Sequence, residues 1–388
     1  MEFYVAASCP YSYLMAQQLQ RALGDTGLKV RSCFIVGLEA DVDPAPELRE
    51  GHGPRDCASL ARFYALDFPA EWVVPDPDAL SRAERILAAT PSIEAVVAVG
   101  RALWAGGGAA ALDAAEVTYR AADAATTQRL LAANAARQRR GGHYQPGTLR
   151  HLGEWFGGPL RTPIVTSRLG LGDGDCLRRR PEPGLARVAT GTPMELWFSF
   201  RSPYSYLAIA QLQRWRDAGE TVPIVFRPIL PMVMRGLAVP KIKRMYLVKD
   251  SAREARQLGI PFGRVADPVG DGARRCLAVC AHLISVDAGD TSRAFDFAVA
   301  AARGIWSEGR DVATDAGLWT VGQRGGVTRA ELDAALSNIP AGEALAEANR
   351  DAMTGELGLW GVPSFRTGDF VTWGQDRLAL VRYVLGLD

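Results

Sequence analysis

Two short turns in this chain carry residues whose types and spacing could do thiol chemistry. One is Ser202-Pro203-Tyr204, which follows an alternating apolar stretch and precedes a helical pattern. The other is Cys9-Pro10, which has the same setting near the N-terminus. The start of a helix presents unpaired N–H groups and the positive end of the helix dipole, and both favour an anion. A thiolate is one anion that such a turn would stabilise.

The two turns lie in two copies of one sequence unit. Residues 1–21 and 194–214 align without a gap and are identical at eleven of twenty-one positions. We interpret this as a tandem duplication, with domains predicted at 1–169 and 194–388. Residues 170–193 are rich in Gly, Pro and Arg and show little apolar periodicity, so they are predicted to form a linker.

Apolar alternation predicts four strands in the second copy, at Glu195 to Phe200, Val222 to Arg227, Val362 to Phe365 and Phe370 to Trp373. A helix from Pro203 joins the first two strands in a right-handed crossover. A helical region at about 240–354 separates the two pairs of strands, and a helix beginning at Gln375 closes the chain. The expected fold is α/β, a thioredoxin-type sheet with an inserted all-helical domain. The first copy is expected to follow the same plan, with strands at Glu2 to Ala7 and Leu28 to Val36, a helix from Pro10, and helices from Pro77 through Arg139.

Four motifs of the second copy occur in a recognisable order: Ser202-Pro203-Tyr204-Ser205-Tyr206, Phe226-Arg227-Pro228, Gly361-Val362-Pro363-Ser364-Phe365 and Trp373-Gly374-Gln375-Asp376-Arg377-Leu378. With these motifs, residues 194–388 resemble the 2-hydroxychromene-2-carboxylate isomerases. That family is close to the kappa-class glutathione transferases in the DsbA-like thioredoxin superfamily. The resemblance implies two tandem DsbA-like units, of which the first is divergent.

The resemblance also implies that the second copy binds glutathione as its cofactor. Ser202 would be the catalytic residue and would donate its hydroxyl to the glutathione thiolate. Val362 would present its backbone to the cysteinyl segment, with Pro363 in the cis form, and Asp376 would pair with the γ-glutamyl ammonium. The cofactor-binding residues predicted in this way are Ser202, Pro203, Val362, Pro363, Trp373, Gln375, Asp376 and Arg377.

The wall of a substrate pocket is predicted around the second strand of this copy and the start of the helical insertion. The residues assigned to it are Tyr204, Arg227, Lys241, Lys243 and Tyr246. Methionines and a tyrosine in these segments suit a flat apolar substrate, and lysines could attract or polarise a carboxylate or keto group. An asparagine-containing segment that is common in the family is missing here.

The function implied by the resemblance is that of a glutathione-dependent isomerase. It would act on an unsaturated or aromatic keto acid by reversible addition of the thiolate. Kappa-like conjugation of glutathione to an electrophile is an alternative, and it would consume free thiol. A third hypothesis is a thiol-disulfide oxidoreductase centred on Cys9, whose pKa a helix N-terminus would lower. A fourth is a ligand-binding protein without catalytic activity.

The first copy departs from the family pattern where the acidic turn should be. Phe156-Gly157-Gly158-Pro159-Leu160 stands in place of the Trp-Gly-Gln-Asp-Arg motif, and Pro146 is matched to Pro363. Without the aspartate, recognition of the γ-glutamyl group would be weaker. We therefore expect the first copy to act mainly as the structural half of an intrachain pseudo-dimer.

Composition limits the choice of partners. The formal net charge is +1, which argues against binding to nucleic acid or to an anionic membrane. No signal-peptide pattern and no membrane-spanning run is predicted, and six scattered cysteines suggest reduced thiols. We expect a cytoplasmic protein that holds no metal, binds a small electrophilic or aromatic substrate, and keeps Cys276 and Cys280 as buried thiols.

Overall fold

The structure is a computed structural model, and it describes residues 1–24, 32–37, 42, 44–171, 176–180 and 182–387. The chain divides into two compact units. Unit 1 comprises Met1–Leu185 and Pro240–Tyr246, and unit 2 comprises Ala186–Val239 and Leu247–Asp388. The boundary after Leu185 lies inside the stretch predicted as a linker. The segment Pro240–Tyr246 was predicted with the second copy, but it belongs to unit 1.

Unit 1 contains a four-stranded sheet and a set of helices. The strands are β1 (Glu2–Val5), β2 (Ser32–Ile35), β3 (Thr148–His151) and β4 (Glu154–Gly157), in the order β2-β1-β3-β4. β1 and β2 are parallel, and the other two pairs are antiparallel. The helices are α1 (Pro10–Leu23), α2 (Pro46–Tyr64), α3 (Pro77–Ala89), α4 (Ile93–Trp104), α5 (Gly108–Tyr119), α6 (Ala124–Arg140) and α7 (Thr162–Arg168).

Two elements of unit 1 differ from the sequence prediction. The second strand was predicted from Leu28 to Val36, whereas β2 begins at Ser32, and residues 28–31 lie outside the described part of the chain. α2 lies outside the predicted helices, and Gly53 and Pro54 in its middle have low helix propensity. Both residues are buried, so packing in the folded unit outweighs their low helix propensity.

Unit 2 repeats the same strand order, β6-β5-β7-β8. Its strands are β5 (Met194–Phe198), β6 (Ile224–Pro228), β7 (Ser364–Thr367) and β8 (Phe370–Trp373). β5 is parallel to β6 and antiparallel to β7, which is antiparallel to β8. The helices are α8 (Pro203–Asp217), α9 (Lys241–Gln257), α10 (Asp271–Val286), α11 (Ser292–Ser307), α12 (Asp315–Arg324), α13 (Arg329–Leu336), α14 (Ile339–Leu357) and α15 (Leu378–Val384), and α9 up to Tyr246 belongs to unit 1.

The core of unit 2 lies between β5 and the inserted helices. Leu196 and Phe198 are fully buried, as is Cys276 on the inward face of α10. Cys280, one helical turn further along α10, is also fully buried, and burial raises the pKa of both thiols. These two cysteines are buried core residues, as predicted.

The closing elements of unit 2 begin slightly later than predicted. β7 begins at Ser364, since Pro363 has no N–H to donate to a strand ladder. The last helix begins at Leu378, because Gln375–Arg377 forms a separate 3-10 turn. In the part of the chain that the structure describes, no helix is both long and apolar enough to cross a membrane.

A charged cluster on β5 ties three strands of unit 2 together. Glu195 accepts a hydrogen bond from Arg227 Nε of β6 at 2.7 Å, and Arg366 of β7 donates to its other oxygen. Both guanidinium groups lie over the ring of Trp197, at 5.3 and 5.6 Å from its centroid. Burial is the largest single influence and raises the pKa of Glu195, but the hydrogen bonds and charges of the two arginines together outweigh it and lower the pKa.

We predict that Glu195→Gln weakens unit 2 in a pH-dependent way. At pH 7 the loss of unfolding free energy should be about 1 to 3 kcal/mol, because two guanidinium groups lose an ionised acceptor. The lowered pKa means that the stabilisation is present above the ordinary value of 4.5 and is lost as pH falls through the folded-state value. Urea unfolding of the unaltered protein and of Glu195→Gln should therefore show that the difference in their free energies of unfolding becomes smaller at acid pH.

The matched control is Asp333→Asn, because Asp333 forms an exposed ion pair with Arg329 on one helix. That pair should contribute less than about 0.5 kcal/mol at any pH. A Glu195→Gln difference that stayed constant down to pH 3 would contradict the assignment of the stabilisation to an ionised Glu195.

Candidate functional site

Ser202 lies at the turn between β5 and α8 and caps the start of the helix. Its Oγ accepts a hydrogen bond from the N–H of Ser205 at 3.1 Å. The same hydroxyl donates to the backbone carbonyl of Val362 at 3.2 Å. Pro203 follows at the first helical position, where its missing N–H costs nothing. One side chain thus joins the start of α8 to the loop before β7.

The loop before β7 presents backbone groups beside Ser202. The Val362-Pro363 peptide is cis, as the resemblance implied. The Val362 carbonyl accepts the Ser202 hydroxyl, while the Val362 N–H has no hydrogen-bond acceptor among the described residues. The loop therefore offers one backbone donor and one backbone acceptor, the pair that an extended peptide needs for antiparallel pairing.

Trp373 supports this loop by close packing. Its indole lies so near Gly361 that a Cβ atom at position 361 would overlap the ring. Trp360 packs against the same indole in a T-shaped arrangement, with ring centroids 4.7 Å apart. Glycine is therefore required at position 361 for the backbone to approach Trp373 so closely.

The turn that carries Asp376 is tied to the same loop. The N–H of Gly374 donates to the carbonyl of Pro363 at 2.9 Å. Asp376 then forms an ion pair with Arg377 at 2.9 Å, and its side chain remains 23% exposed. A Cβ at Gly374, whose φ is +117°, would come within 2.6 Å of the Asp376 carboxylate. The carboxylate thus lies folded against the start of the turn, within reach of solvent.

Gln375 has a supporting role in this arrangement. Its side chain is buried, accepts a hydrogen bond from Gln211 Nε2 at 3.0 Å and donates one to Glu254 Oε2 at 3.0 Å. Both ends of the amide are committed to neighbours within unit 2. Its side chain thus fixes the turn against α8 and α9, and cofactor binding by Gln375 stays a prediction.

A buried polar pair next to Tyr204 was missed by the sequence reasoning. The Tyr204 hydroxyl donates to Asp250 Oδ2 at 2.7 Å, and Asp250 forms an ion pair with the buried Arg253. Unit 1 contains the same arrangement, with the Tyr11 hydroxyl donating to Asp56 at 2.8 Å. A signal was available, since both tyrosines and both aspartates align in the repeat.

Arg227 was predicted to line a substrate pocket with Tyr204, and this assignment stays a prediction. In the structure its guanidinium is held by Glu195 and stacks on Trp197. Side chains alternate along a strand, so Arg227 lies on the opposite face of the sheet from its buried neighbour Phe226.

The other three predicted pocket residues, Lys241, Lys243 and Tyr246, belong to unit 1. There the Lys243 ammonium donates to the carbonyl of Val42 at 3.2 Å. The Tyr246 hydroxyl accepts a hydrogen bond from the N–H of Gly157 at 2.9 Å. Its ring meets that of His143 edge-on, with centroids 4.4 Å apart. Lys243 and Tyr246 therefore make contacts within unit 1, whereas Lys241 is exposed.

The backbone of unit 1 corrects one match made from the sequence. The N–H of Gly158 donates to the carbonyl of Gly147 at 2.8 Å, as that of Gly374 donates to Pro363. Gly147, and not Pro146, therefore occupies the position of Pro363. The sequence match was wrong by one residue, because equal spacing between prolines and glycines says nothing about strand register.

This strand register shows which residues of unit 1 occupy the positions of the Asp376 turn of unit 2. Leu160 stands at the position of Asp376, and Pro159 stands at that of Gln375. Gly157 stands at the position of Trp373, and the Tyr246 hydroxyl packs against it. Unit 1 therefore lacks the carboxylate at this turn, as the sequence predicted.

The pKa expected for Cys9 was wrong. Cys9 precedes α1, but its side chain makes no capping hydrogen bond. Burial raises the pKa of the Cys9 thiol, and hydrogen bonds from Ser12 and the charge of Arg49 only partly oppose this effect. A helix N-terminus lowers a thiol pKa when its N–H groups reach the sulfur, and here desolvation is the stronger effect.

We predict that Cys9 behaves as an ordinary protonated thiol. Because its pKa is raised, its thiolate fraction should increase about tenfold for each pH unit between pH 6 and 8. Alkylation by iodoacetamide, followed by mass spectrometry of the Cys9 peptide, should show the same increase in rate. The other five cysteines are buried thiols, so they provide an internal comparison. A rate that reached a plateau below pH 7 would indicate a low-pKa thiolate and contradict the structure.

Groups of three or more His, Cys, Asp or Glu side chains that could hold a metal ion were not found among the described residues. The groups of this site that could act chemically are the Ser202 hydroxyl, the backbone of the Val362 loop and the Asp376 turn.

Comparison with known proteins identifies the class of the C-terminal half. Residues 194–386 match the family model of the DSBA-like thioredoxin domain. This half of the chain is thus a thioredoxin-fold domain of the DsbA-like type, which confirms the fold predicted for it. The matched range begins at the first residue of β5 and ends after α15.

The particular relatives are isomerases and thiol oxidoreductases. The chain is similar to the 2-hydroxychromene-2-carboxylate isomerase of Pseudomonas putida, with 26% identity over 200 residues, covering 50% of this chain and 94% of the relative. A solved 2-hydroxychromene-2-carboxylate isomerase has 26% identity and a TM-score of 0.40 over 50% of this chain and 94% of its own. The cytosolic disulfide reductase DsbM from Pseudomonas aeruginosa with GSH has 17% identity and a TM-score of 0.34 over 50% and 92%.

Proposed function

We propose that unit 2 is a glutathione-dependent isomerase of the 2-hydroxychromene-2-carboxylate type. Its substrate would be an unsaturated or aromatic keto acid. The observation that carries the proposal is the Ser202 hydroxyl, which lies at a helix start and is hydrogen-bonded to the backbone of the Val362-Pro363 loop. The similarity to a named isomerase supports the reaction class.

The Val362 loop fits the cysteinyl segment of glutathione. A bound peptide in antiparallel orientation would use the Val362 N–H as a donor to one of its carbonyls. Its own N–H would donate to the Val362 carbonyl, which now accepts the Ser202 hydroxyl. The two backbone groups are thus suited to an extended tripeptide, whose side chain would then project toward the start of α8.

Ser202 has one hydroxyl hydrogen and can serve only one acceptor at a time. When a peptide N–H takes over the Val362 carbonyl, that hydrogen becomes free to donate to a sulfur anion. The Ser205 N–H continues to donate to the same oxygen, which keeps the hydroxyl in place and polarises it. Charge-assisted hydrogen bonds of this kind favour the ionised form of the acceptor.

The Asp376 turn would recognise the other end of the tripeptide. Its carboxylate is partly exposed and already paired with Arg377, so it is held ready to accept hydrogen bonds from an ammonium group. The unpaired N–H groups at the start of the final turn and helix favour the neighbouring α-carboxylate. A zwitterionic γ-glutamyl group matches both features.

Glutathione would supply the nucleophilic thiolate, whose reversible addition to a conjugated carbon permits bond rotation before elimination. The protein would hold the sulfur in its ionised form through Ser202 and orient the tripeptide through the Val362 backbone. Unit 1 has neither the carboxylate nor a low-pKa thiol at the matching turn, so a structural role in an intrachain pseudo-dimer is proposed for it. A cytoplasmic location would supply the reduced glutathione that this reaction needs.

The proposal predicts that Ser202→Ala raises the pKa of bound glutathione by about one to two units, since a charge-assisted hydrogen bond contributes about 1.5 to 3 kcal/mol. Ultraviolet absorbance of the thiolate, followed against pH in the glutathione complex, measures this pKa. Because less of the bound glutathione would then be ionised, the isomerisation rate of Ser202→Ala at pH 7 should fall at least about tenfold.

Cys9→Ser is the matched control, because it changes the residue at the equivalent turn of unit 1. It should leave the thiolate absorbance and the turnover unchanged. If Cys9→Ser lost the thiolate absorbance and the turnover while Ser202→Ala kept them, the chemistry would be assigned to a thiol oxidoreductase centred on Cys9 instead. Free thiol should remain constant during turnover, whereas its stoichiometric loss would indicate a kappa-like transferase.

A further inference from the structure

Unit 2 contains a cavity that the proposed glutathione site does not use. Its volume is about 320 Å³, and it lies among the loop after β6, α10 and α14. Leu230, Met234 and Ala346 provide apolar lining. Three arginines and two glutamates, Glu343 and Glu347, provide the charged lining. A volume of this size is in the range of small-molecule sites. Ser202 is not among the lining residues.

Two of the three arginines are neutralised by acidic neighbours. Arg274 forms an ion pair with Glu343 at 2.7 Å. Arg350 forms ion pairs with Glu347 at 3.1 Å and with Asp351 at 2.6 Å. Their charges are therefore largely balanced by carboxylates of the protein itself.

Arg235 is different, because no carboxylate of the described residues pairs with it. Its Nη2 donates to the carbonyl of Trp360 at 2.9 Å, and its Nε is buried without an acceptor. Burial and the nearby charge of Arg350 lower its pKa to about 10, so it remains charged at neutral pH. A buried guanidinium without a counter-charge is costly unless a ligand supplies one.

We propose that this cavity is a binding site for a small organic acid, with Arg235 accepting the carboxylate and Leu230, Met234 and Ala346 contacting an apolar body. The free donors of a guanidinium suit the two oxygens of a carboxylate. One uncompensated positive charge calls for one negative charge, so monocarboxylates should be preferred to dicarboxylates. The hydrogen bond from Arg235 to the Trp360 carbonyl places the cavity next to the chain segment that runs from Trp360 to Val362.

The test is calorimetric titration of the full-length protein, without glutathione, using 2-naphthoate and its neutral analogue 2-naphthamide as probes. The acid should bind at least about tenfold more tightly than the amide, which corresponds to one charge-assisted hydrogen bond. Equal binding of the two probes, or no binding of the acid, would overturn the proposal. This comparison needs no variant and stands even if a substitution prevents folding.

Arg235→Gln should reduce naphthoate affinity to about that of the amide, a loss of about tenfold, and should leave amide binding unchanged. Arg235→Lys should recover part of the affinity because it keeps the charge. Arg329→Gln carries the same change in net charge on an exposed helix and should have no effect. Unchanged naphthoate affinity in Arg235→Gln would contradict the assignment of the carboxylate to Arg235.

The carboxylate site does not depend on the proposed function. Ser202→Ala should leave naphthoate binding intact, and Arg235→Gln should leave the thiolate absorbance of bound glutathione intact. If glutathione fails to bind while the protein still binds 2-naphthoate more tightly than 2-naphthamide, the cavity proposal stands and the proposed function fails. The reverse result would remove the cavity proposal alone.

Discussion

The arrangement of the unit 2 site depends on one hydrogen bond, from the Ser202 hydroxyl to the Val362 carbonyl. It connects the start of α8 with a loop 160 residues further along the chain. The loop can meet the hydroxyl only because Gly361 allows its backbone to lie against Trp373. The same loop is held from its other side by the Gly374 N–H. A peptide ligand would therefore find its donor, its acceptor and the helix start already in position.

Two acidic groups of unit 2 receive opposite charges, whereas Arg235 does not. The half-buried Glu195 receives two arginines, and the buried Asp250 receives Arg253. These pairs satisfy the requirement that an ion removed from water be compensated. Arg235 has no carboxylate partner among the described residues, and its Nη2 donates to a backbone carbonyl. Under the cavity proposal, the carboxylate of a bound acid would supply the missing negative charge.

Local features of the site could be predicted from the sequence, whereas long-range ones could not. The Ser202-Pro203 helix start and the strands β5 and β8 follow from periodicity and capping within a few residues. The hydrogen bonds of Gln375 to Gln211 and Glu254 depend on contacts between residues more than 100 positions apart. The position of Gly147 was missed because hairpin register is set by strand pairing and not by the spacing of prolines.

The two units also show why a shared fold does not make a shared site. Cys9 and Ser202 occupy the same place between a strand and a helix. Ser202 remains useful because its hydroxyl is a hydrogen-bond donor at any physiological pH. A cysteine must ionise first, and burial at this turn opposes ionisation. Replacing the carboxylate of Asp376 by Leu160 removes the second feature that a zwitterionic peptide requires. The same backbone thus supports a hydrogen-bonding hydroxyl in unit 2 and a thiol with a raised pKa in unit 1.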